Sequence, residues 1–296
     1  MKVQTLAGQL LFSTVRIEAS GPNKGSVGTG FVFAYESDPE DVEPVYFLVT
    51  NKHVIEDAEE GSFVFIENDG NQNPLLGQGI KVPVRRFKDV WYGHPDPDVD
   101  IAVSPIRSLI NIRVKDGDPA TIGDRTFVAP IRSSHIPTPS KIEQNYDAIE
   151  EVFFIGYPDG LYDEENLTPI VRRGITATPL QIDYEGKPTF LIDASVFPGS
   201  SGSPVFAGTS AVRADRNGNL VLVASRLAFL GVIAECLEIQ ETGQVEWKPI
   251  PTGKKNKKVP TYTTSQALNL GIVYKSHTVL ETVEDYLQKY GASQRP

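Results

Sequence analysis

The sequence predicts an all-β chain of two strand series closed by one helix, and three observations lead there. Short runs rich in Val, Ile, Phe, Thr and Tyr recur through most of the 296 residues. Gly, Pro and Asn punctuate them, and clear helical spacing appears only near the C-terminus. Many short strands without alternating helices indicate a sandwich or barrel. The first series occupies residues 10–18, 30–35, 45–50, 62–66, 81–87 and 101–105, and the second residues 151–156, 170–177, 190–194, 203–206, 220–225, 229–235 and 270–274. Two series suggest two barrels. Between them, residues 133–141 carry two prolines and no apolar periodicity, which reads as a connection. The predicted division is a first barrel over 1–132, a connection over 133–145, a second barrel over 146–275 and a helix over 276–292.

Each end has its own reading. At the N-terminus the apolar stretch 6–15 is interrupted by Gln9, Ser13 and Thr14, so it leads into a first strand rather than forming a secretory signal. At the other end Val279, Leu280, Val283, Leu287 and Tyr290 recur at helical spacing, with a capping box from Thr278 to Glu281 before them and Gly291 after. Long loops are expected over 68–79 and 238–265, the second holding Lys254, Lys255, Lys257 and Lys258 as a solvated charge cluster.

Composition narrows the function classes. A single cysteine, Cys236, excludes an internal disulfide and any multi-cysteine metal cluster, as suits a reducing compartment. A net charge of −10 argues against a nucleic-acid partner. The longest apolar run, residues 227–234, is far short of the ~20 residues that span a bilayer. A soluble, cytoplasmic protein without a membrane partner is expected.

Three segments carry candidate chemistry, in the order His, Asp, Ser. His53 follows a hydrophobic strand in Thr50-Asn51-Lys52-His53-Val54. Asp98 and Asp100 precede the apolar run Ile101-Ala102-Val103, and Asp100 is favoured because it adjoins that run directly. Phe197-Pro198-Gly199-Ser200-Ser201-Gly202-Ser203-Pro204 is a glycine-bearing loop with three candidate nucleophiles, Ser200, Ser201 and Ser203. A serine hydroxyl is a weak nucleophile at neutral pH and needs a base titrating near neutrality, which histidine supplies. The imidazole needs a carboxylate on its other nitrogen to fix the tautomer and tolerate a positive charge. Backbone amides converging in a tight loop, here those of Gly199 and Ser201, can stabilise the oxyanion.

Other motifs have blander readings. The segment from His94 to Asp100 lacks the glycine and downstream glutamate of a calcium loop, so no metal is predicted. Gly25, Gly28 and Gly30 precede a strand rather than a helix and read as turn glycines, not a phosphate cradle. His94, His135 and His277 read as surface or structural residues, and Cys236 as a buried small hydrophobe.

Together the three segments resemble those of the trypsin-like (chymotrypsin-fold) serine peptidases, and the His53 and Asp100 segments are most similar to the bacterial HtrA/Do branch. The resemblance runs from Gly28-Thr29-Gly30-Phe31 to the terminal helix. It implies two Greek-key six-stranded barrels and a triad of His53, Asp100 and Ser201, with protein or peptide substrates and no cofactor. It places Ser195 at the floor of the pocket for the residue before the cut, and Ala234, Glu235, Cys236 and Gly271 on its walls. A neutral floor predicts a small or medium apolar residue there, with Glu235 as the feature that could instead recruit a basic one. The segment from Phe153 to Pro158, with Gly160 and Leu161 following, resembles the first strand of the family's second barrel. Only about twenty residues follow Tyr274, so a stand-alone peptidase without a PDZ domain is expected, similar to bacterial intracellular relatives and regulated by loops, oligomers or a separate protein.

The loop departs from the family pattern Gly-Asp-Ser-Gly-Gly-Pro. Ser200 cannot pair with a newly cut N-terminal amine, and no Ile-Val-Gly-Gly sequence lies upstream, so activation without propeptide cleavage is expected. The alternative functions are a catalytically silent peptide-binding module and an esterase or acyltransferase using the same acyl-enzyme chemistry.

Overall fold

Alternating apolar residues build the first half into an eight-stranded sheet. In the computed structural model, residues 2–21, 25–37, 44–71, 73–106, 121–207, 212–214, 220–222, 227–244 and 261–291 are described. The strands are β1 (Thr14–Ser20), β2 (Gly25–Tyr35), β3 (Val45–Thr50), β4 (Glu60–Asn68), β5 (Pro74–Arg85), β6 (Tyr92–Gly93), β7 (Ala102–Pro105) and β8 (Ile131–Arg132). Their order is β5-β4-β1-β2-β3-β7-β6, with β8 parallel to β2. The expected six strands are β1 to β5 and β7; the two-residue β6 and β8 are additional. The sheet wraps around a core of its own, in which Ile17, Val32, Leu48, Phe63, Val82, Trp91 and Ala102 meet.

The second half is a closed six-stranded barrel. Its strands are β9 (Glu151–Gly156), β10 (Ile170–Thr176), β11 (Thr189–Asp193), β12 (Pro204–Ala207), β15 (Phe229–Gln244) and β16 (Thr261–Lys275), closing in the order β10-β11-β16-β15-β12-β9. Of the run expected over 220–225, residues 223–225 lie outside the described residues. Its described part, β14 (Leu220–Leu222), pairs with β13 (Val212–Ala214) as a separate two-stranded antiparallel sheet.

A third core binds the halves together. Phe31, Phe33 and Phe47 of the first half meet Phe206, Phe229 and Val232 of the second, with Val279, Val283 and Tyr286 of the helix Ser276–Tyr290 against them. Phe31 and Phe229 meet edge to face at 5.4 Å, and Phe47 and Tyr286 at 5.5 Å. Aromatic burial of this kind is the largest apolar contribution a single side chain makes.

Several local expectations are corrected. The first strand starts at Thr14 rather than residue 10, because Thr5 accepts a bond from the Gly8 amide and caps a short helix, Leu6–Leu10. Residues 68–79 form no long loop: Asp69 Oδ1 accepts from the amides of Asn71 (2.8 Å) and Asn73 (3.0 Å), so the chain turns back at once into β5. A bulge between Ile66 and Glu67 absorbs the extra residues. Much of the loop expected over 238–265 is ladder, since residues 238–244 pair with 261–267; the lysine cluster lies outside the described residues. The connection holds a helix, Pro139–Asn145, with Thr138 as its cap and proline at the first position. The expected capping box at Thr278 does not form. β16 runs directly into the terminal helix, so Thr278 lies inside it, buried, and its hydroxyl donates to the Lys275 carbonyl at 2.8 Å. Among the described residues no helix is long and apolar enough to cross a membrane.

Candidate active site

His53 and Asp100 are brought together by the ends of two neighbouring strands. β3 ends at Thr50, and the chain turns into one helical turn, Lys52–Ile55, that carries His53. The Asn51 side chain, fully buried, caps nothing in that helix; its amide donates to the Asp100 carbonyl at 2.7 Å. The Asp100 carboxylate then meets one residue twice: Oδ1 accepts from the His53 backbone amide at 3.1 Å, and Oδ2 lies 2.6 Å from Nδ1. That geometry places the proton on Nδ1 and leaves the Nε2 lone pair free to accept.

The serine loop reaches the same place from the other half. Gly202 holds φ +87°, and a Cβ there would lie 1.8 Å from the Thr29 carbonyl oxygen, so only glycine lets the loop press on β2. The Thr29 amide donates to the Ser201 carbonyl at 3.0 Å. The Thr29 hydroxyl donates to the Gly199 carbonyl at 3.0 Å, and Thr50, three residues before His53, donates its hydroxyl to the Thr29 carbonyl at 2.8 Å. Of the three candidate serines, Ser201 lines the cleft. Ser200 is buried with its Oγ accepting from the Phe197 amide, and Ser203 is fully buried.

The Ser201 hydroxyl donates to the Ala234 carbonyl at 2.8 Å rather than to His53. Gly199 sits at φ +82°, and the Pro198 carbonyl accepts from the Asp159 amide at 2.6 Å, which turns the Gly199 N–H to the opposite side of that peptide. Among the described residues, neither the Gly199 nor the Ser201 amide donates to a protein acceptor.

These groups open on a cleft of about 630 Å³ lined by His53, Asp100 and Ser201 together with Val196, Phe197, Ala234, Glu235, Cys236, Ile272 and Tyr274. Ala234, Glu235 and Cys236, expected on the pocket wall, line this cleft. Cys236 is half-buried on this wall and packs against the core of the second barrel rather than lying within it. Ser195 and Gly271 are outside the lining: side chains alternate after β11, so Ala194 and Val196 are buried while Ser195 is exposed, its carbonyl accepting from Arg172. Gly271 instead gives room to Val196, whose Cγ2 would lie 2.7 Å from a Cβ there. Tyr184, Glu185, Lys187 and Thr189 on one side of the cleft were not anticipated, nor were Asn51, Tyr274 and Asp159. Burial pushes the Lys52 ammonium below its ordinary value, opposed by Asp100, Asp96 and Asp98. His94 is structural, its Nδ1 accepting from the Asp96 amide and Nε2 facing Glu281 at 3.3 Å. Among the described residues no cluster of His, Cys, Asp and Glu could hold a metal.

The family model for the trypsin-like peptidase domain matches residues 28–214. Similar solved structures include an HtrA-type protease, AlgW, with tripeptide (15% identity, 96% of this chain and 63% of that one, TM-score 0.49). A serine endoprotease from Yersinia pestis matches at 16% identity over 97% of this chain and 68% of its own, TM-score 0.47. An inactivated protease paralogue from the scabies mite matches at 13% identity, 95% and 96% coverage, TM-score 0.45. A search of the curated proteins gave no match. The chain thus spans about 63% of the length of the AlgW structure.

Proposed function

Since the chain belongs to the trypsin-like peptidase domain family, we propose that it is a serine endopeptidase with Ser201 as nucleophile, His53 as general base and Asp100 as its orienting carboxylate. The observation that carries this is the 2.6 Å contact between His53 Nδ1 and Asp100 Oδ2, in a cleft that Ser201 also lines. With Nδ1–H held by the carboxylate, Nε2 can take the Ser201 proton once the hydroxyl rotates off the Ala234 carbonyl. Oγ adds to the substrate carbonyl, and the oxyanion meets the Gly199 and Ser201 amides. His53 then gives its proton to the leaving amine, and the C–N bond breaks. Water, deprotonated by the same imidazole, attacks the acyl-enzyme and releases Ser201. Each such donor lowers the barrier by about 3 to 4 kcal/mol.

A second reading is a peptide-binding module that does not cut, favoured by the hydroxyl resting on Ala234. Incubation with an unfolded protein substrate separates the two. The peptidase reading expects new termini from wild type and none from Ser201→Ala; intact substrate that still binds the cleft supports the silent module. Cleavage of a simple ester without any peptide cleavage would point to an esterase.

The cleft wall also bears on the residue before the cut. Val196, Ala234 and Ile272 supply apolar surface, which supports a small or medium apolar preference even though Ser195 does not form the floor. Strict cleavage after Lys or Arg would instead assign the choice to Glu235.

A further inference from the structure

The loop that presents Asp100 is tied down from both halves of the molecule. From the first half, Asn51 donates to the Asp100 carbonyl and Lys52 Nζ to the Asp96 carbonyl at 2.9 Å. Within the loop, the Asp98 amide donates to Asp96 Oδ1 at 2.9 Å and the Val99 amide to the Asp96 carbonyl at 3.2 Å. The terminal helix contributes Glu281, facing His94. From the second barrel comes one further bond: Tyr274 Oη donates to the Asp98 carbonyl at 2.8 Å, across 176 residues of sequence.

That bond fixes one peptide unit. The peptide between Asp98 and Val99 has its N–H held by Asp96 and its oxygen held by Tyr274, and Asp100 leaves the chain one residue later. Val99 and Ile101, on either side of Asp100, are buried in the core that joins the two halves. A carbonyl left unpaired against such a core is costly, and rotating that peptide to re-solvate it would swing the neighbouring carboxylate. Tyr274 is 8% exposed, and its ring is part of the cleft wall beside His53 and Asp100. Burial, together with Asp100, Asp98 and Glu235, pushes its phenol above the ordinary value, so it remains a donor at neutral pH; the Asp100 amide faces the same oxygen.

Building on the triad reading above, we propose that Tyr274 is a positioning residue, holding the Asp100 carboxylate on His53 through its hydrogen bond to the Asp98 carbonyl. It touches no reacting atom. Its effect reaches the chemistry through the tautomer of His53, whose cleft also carries Glu185, Lys187 and Glu235, with Lys52 lying among Asp100, Asp96 and Asp98.

Tyr274→Phe keeps the ring and removes the bond. It is expected to lower kcat about five- to tenfold with KM unchanged. The NMR signal of the His53 Nδ1 proton, held against Asp100 Oδ2 in wild type, should weaken and move upfield as the carboxylate loses its alignment. The melting temperature should move by only a few degrees. In the Asp100→Asn background the same substitution should cost nothing further in fluorophosphonate reaction rate, because the group it positions is gone. An unchanged Nδ1 proton signal, or an equal loss in both backgrounds, would overturn the proposal. A wild-type chain that turns over no substrate would sink the peptidase reading, while the Nδ1 proton signal would still decide this one.

Discussion

Replacing Asp100 by Asn tests the wiring of the site without changing its shape. The native carboxylate offers two acceptors to His53: Oδ1 to the backbone amide at 3.1 Å and Oδ2 to Nδ1 at 2.6 Å. Asparagine has one acceptor and one donor. Turned so that its oxygen serves the amide, it points NH₂ at Nδ1, which must then accept, so the proton moves to Nε2. Turned the other way, it sets its NH₂ against the His53 amide, donor against donor, and leaves that amide unpaired. The first arrangement satisfies both contacts and is favoured, and it gives the tautomer that cannot take a proton from Ser201. The expected loss in kcat is about 10⁴-fold, equivalent to roughly 5.5 kcal/mol at ~1.36 kcal/mol per decade. The assay is steady-state cleavage of a fluorogenic peptide, paired with the NMR signature of which ring nitrogen carries the proton. A loss below tenfold, or a large loss with the proton still on Nδ1, would refute this reasoning.

Three further predictions probe the frame around the site. Gly202→Ala places a Cβ 1.8 Å from the Thr29 carbonyl oxygen at φ +87°; it should destabilise by about 3 kcal/mol or more and abolish turnover, and a melting temperature within 2 °C of wild type would contradict the close-approach argument. Phe229→Ala empties the centre of the junction between Phe31, Phe33 and Phe206 and should cost about 3 to 5 kcal/mol in denaturant unfolding; a cost under 1 kcal/mol would mean the halves are held some other way. Glu18 bonds Lys81 and lies beside Arg16, which holds its carboxyl below the ordinary value. Because the folded-state pKa is depressed, that stability is present above the unfolded value and lost as pH falls through the folded one. Glu18→Gln should therefore melt below wild type at pH 7, by about 0.5 to 1 kcal/mol for a part-exposed pair, with the gap closing below pH 4. A gap that persists in acid would reject the linkage.

How much of this was legible in the sequence differs from residue to residue. His53 and Asp100 stand at strand ends flanked by apolar runs, which made them legible as candidates, but it is the antiparallel pairing of β3 with β7, Thr50 opposite Ala102, that brings them together. Choosing Ser201 over Ser200 and Ser203 needed either the family resemblance or the burial of the other two. The strand series was readable because apolar periodicity reports which face is buried. It failed where side-chain bonds override pattern: Thr5 capping a helix in an apolar stretch, Asp69 tightening a turn that composition painted as a loop, and Thr278 drawn inside a helix that starts directly off a strand. Ser195 was misplaced because alternation past the end of β11 turns it outward, and only coordinates fix that phase. Tyr274 and Asp159 carry no motif; they matter through backbone atoms that the fold brings near, the Asp98 carbonyl 176 positions away and the Pro198 carbonyl well along the chain.

Mass spectrometry of the protein after reaction with a fluorophosphonate tests the assigned nucleophile most directly. One adduct is predicted, mapping to Ser201, lost in Ser201→Ala and slowed by about four orders of magnitude in Asp100→Asn. No adduct on the folded protein, or an adduct on Ser200 or Ser203, would contradict it.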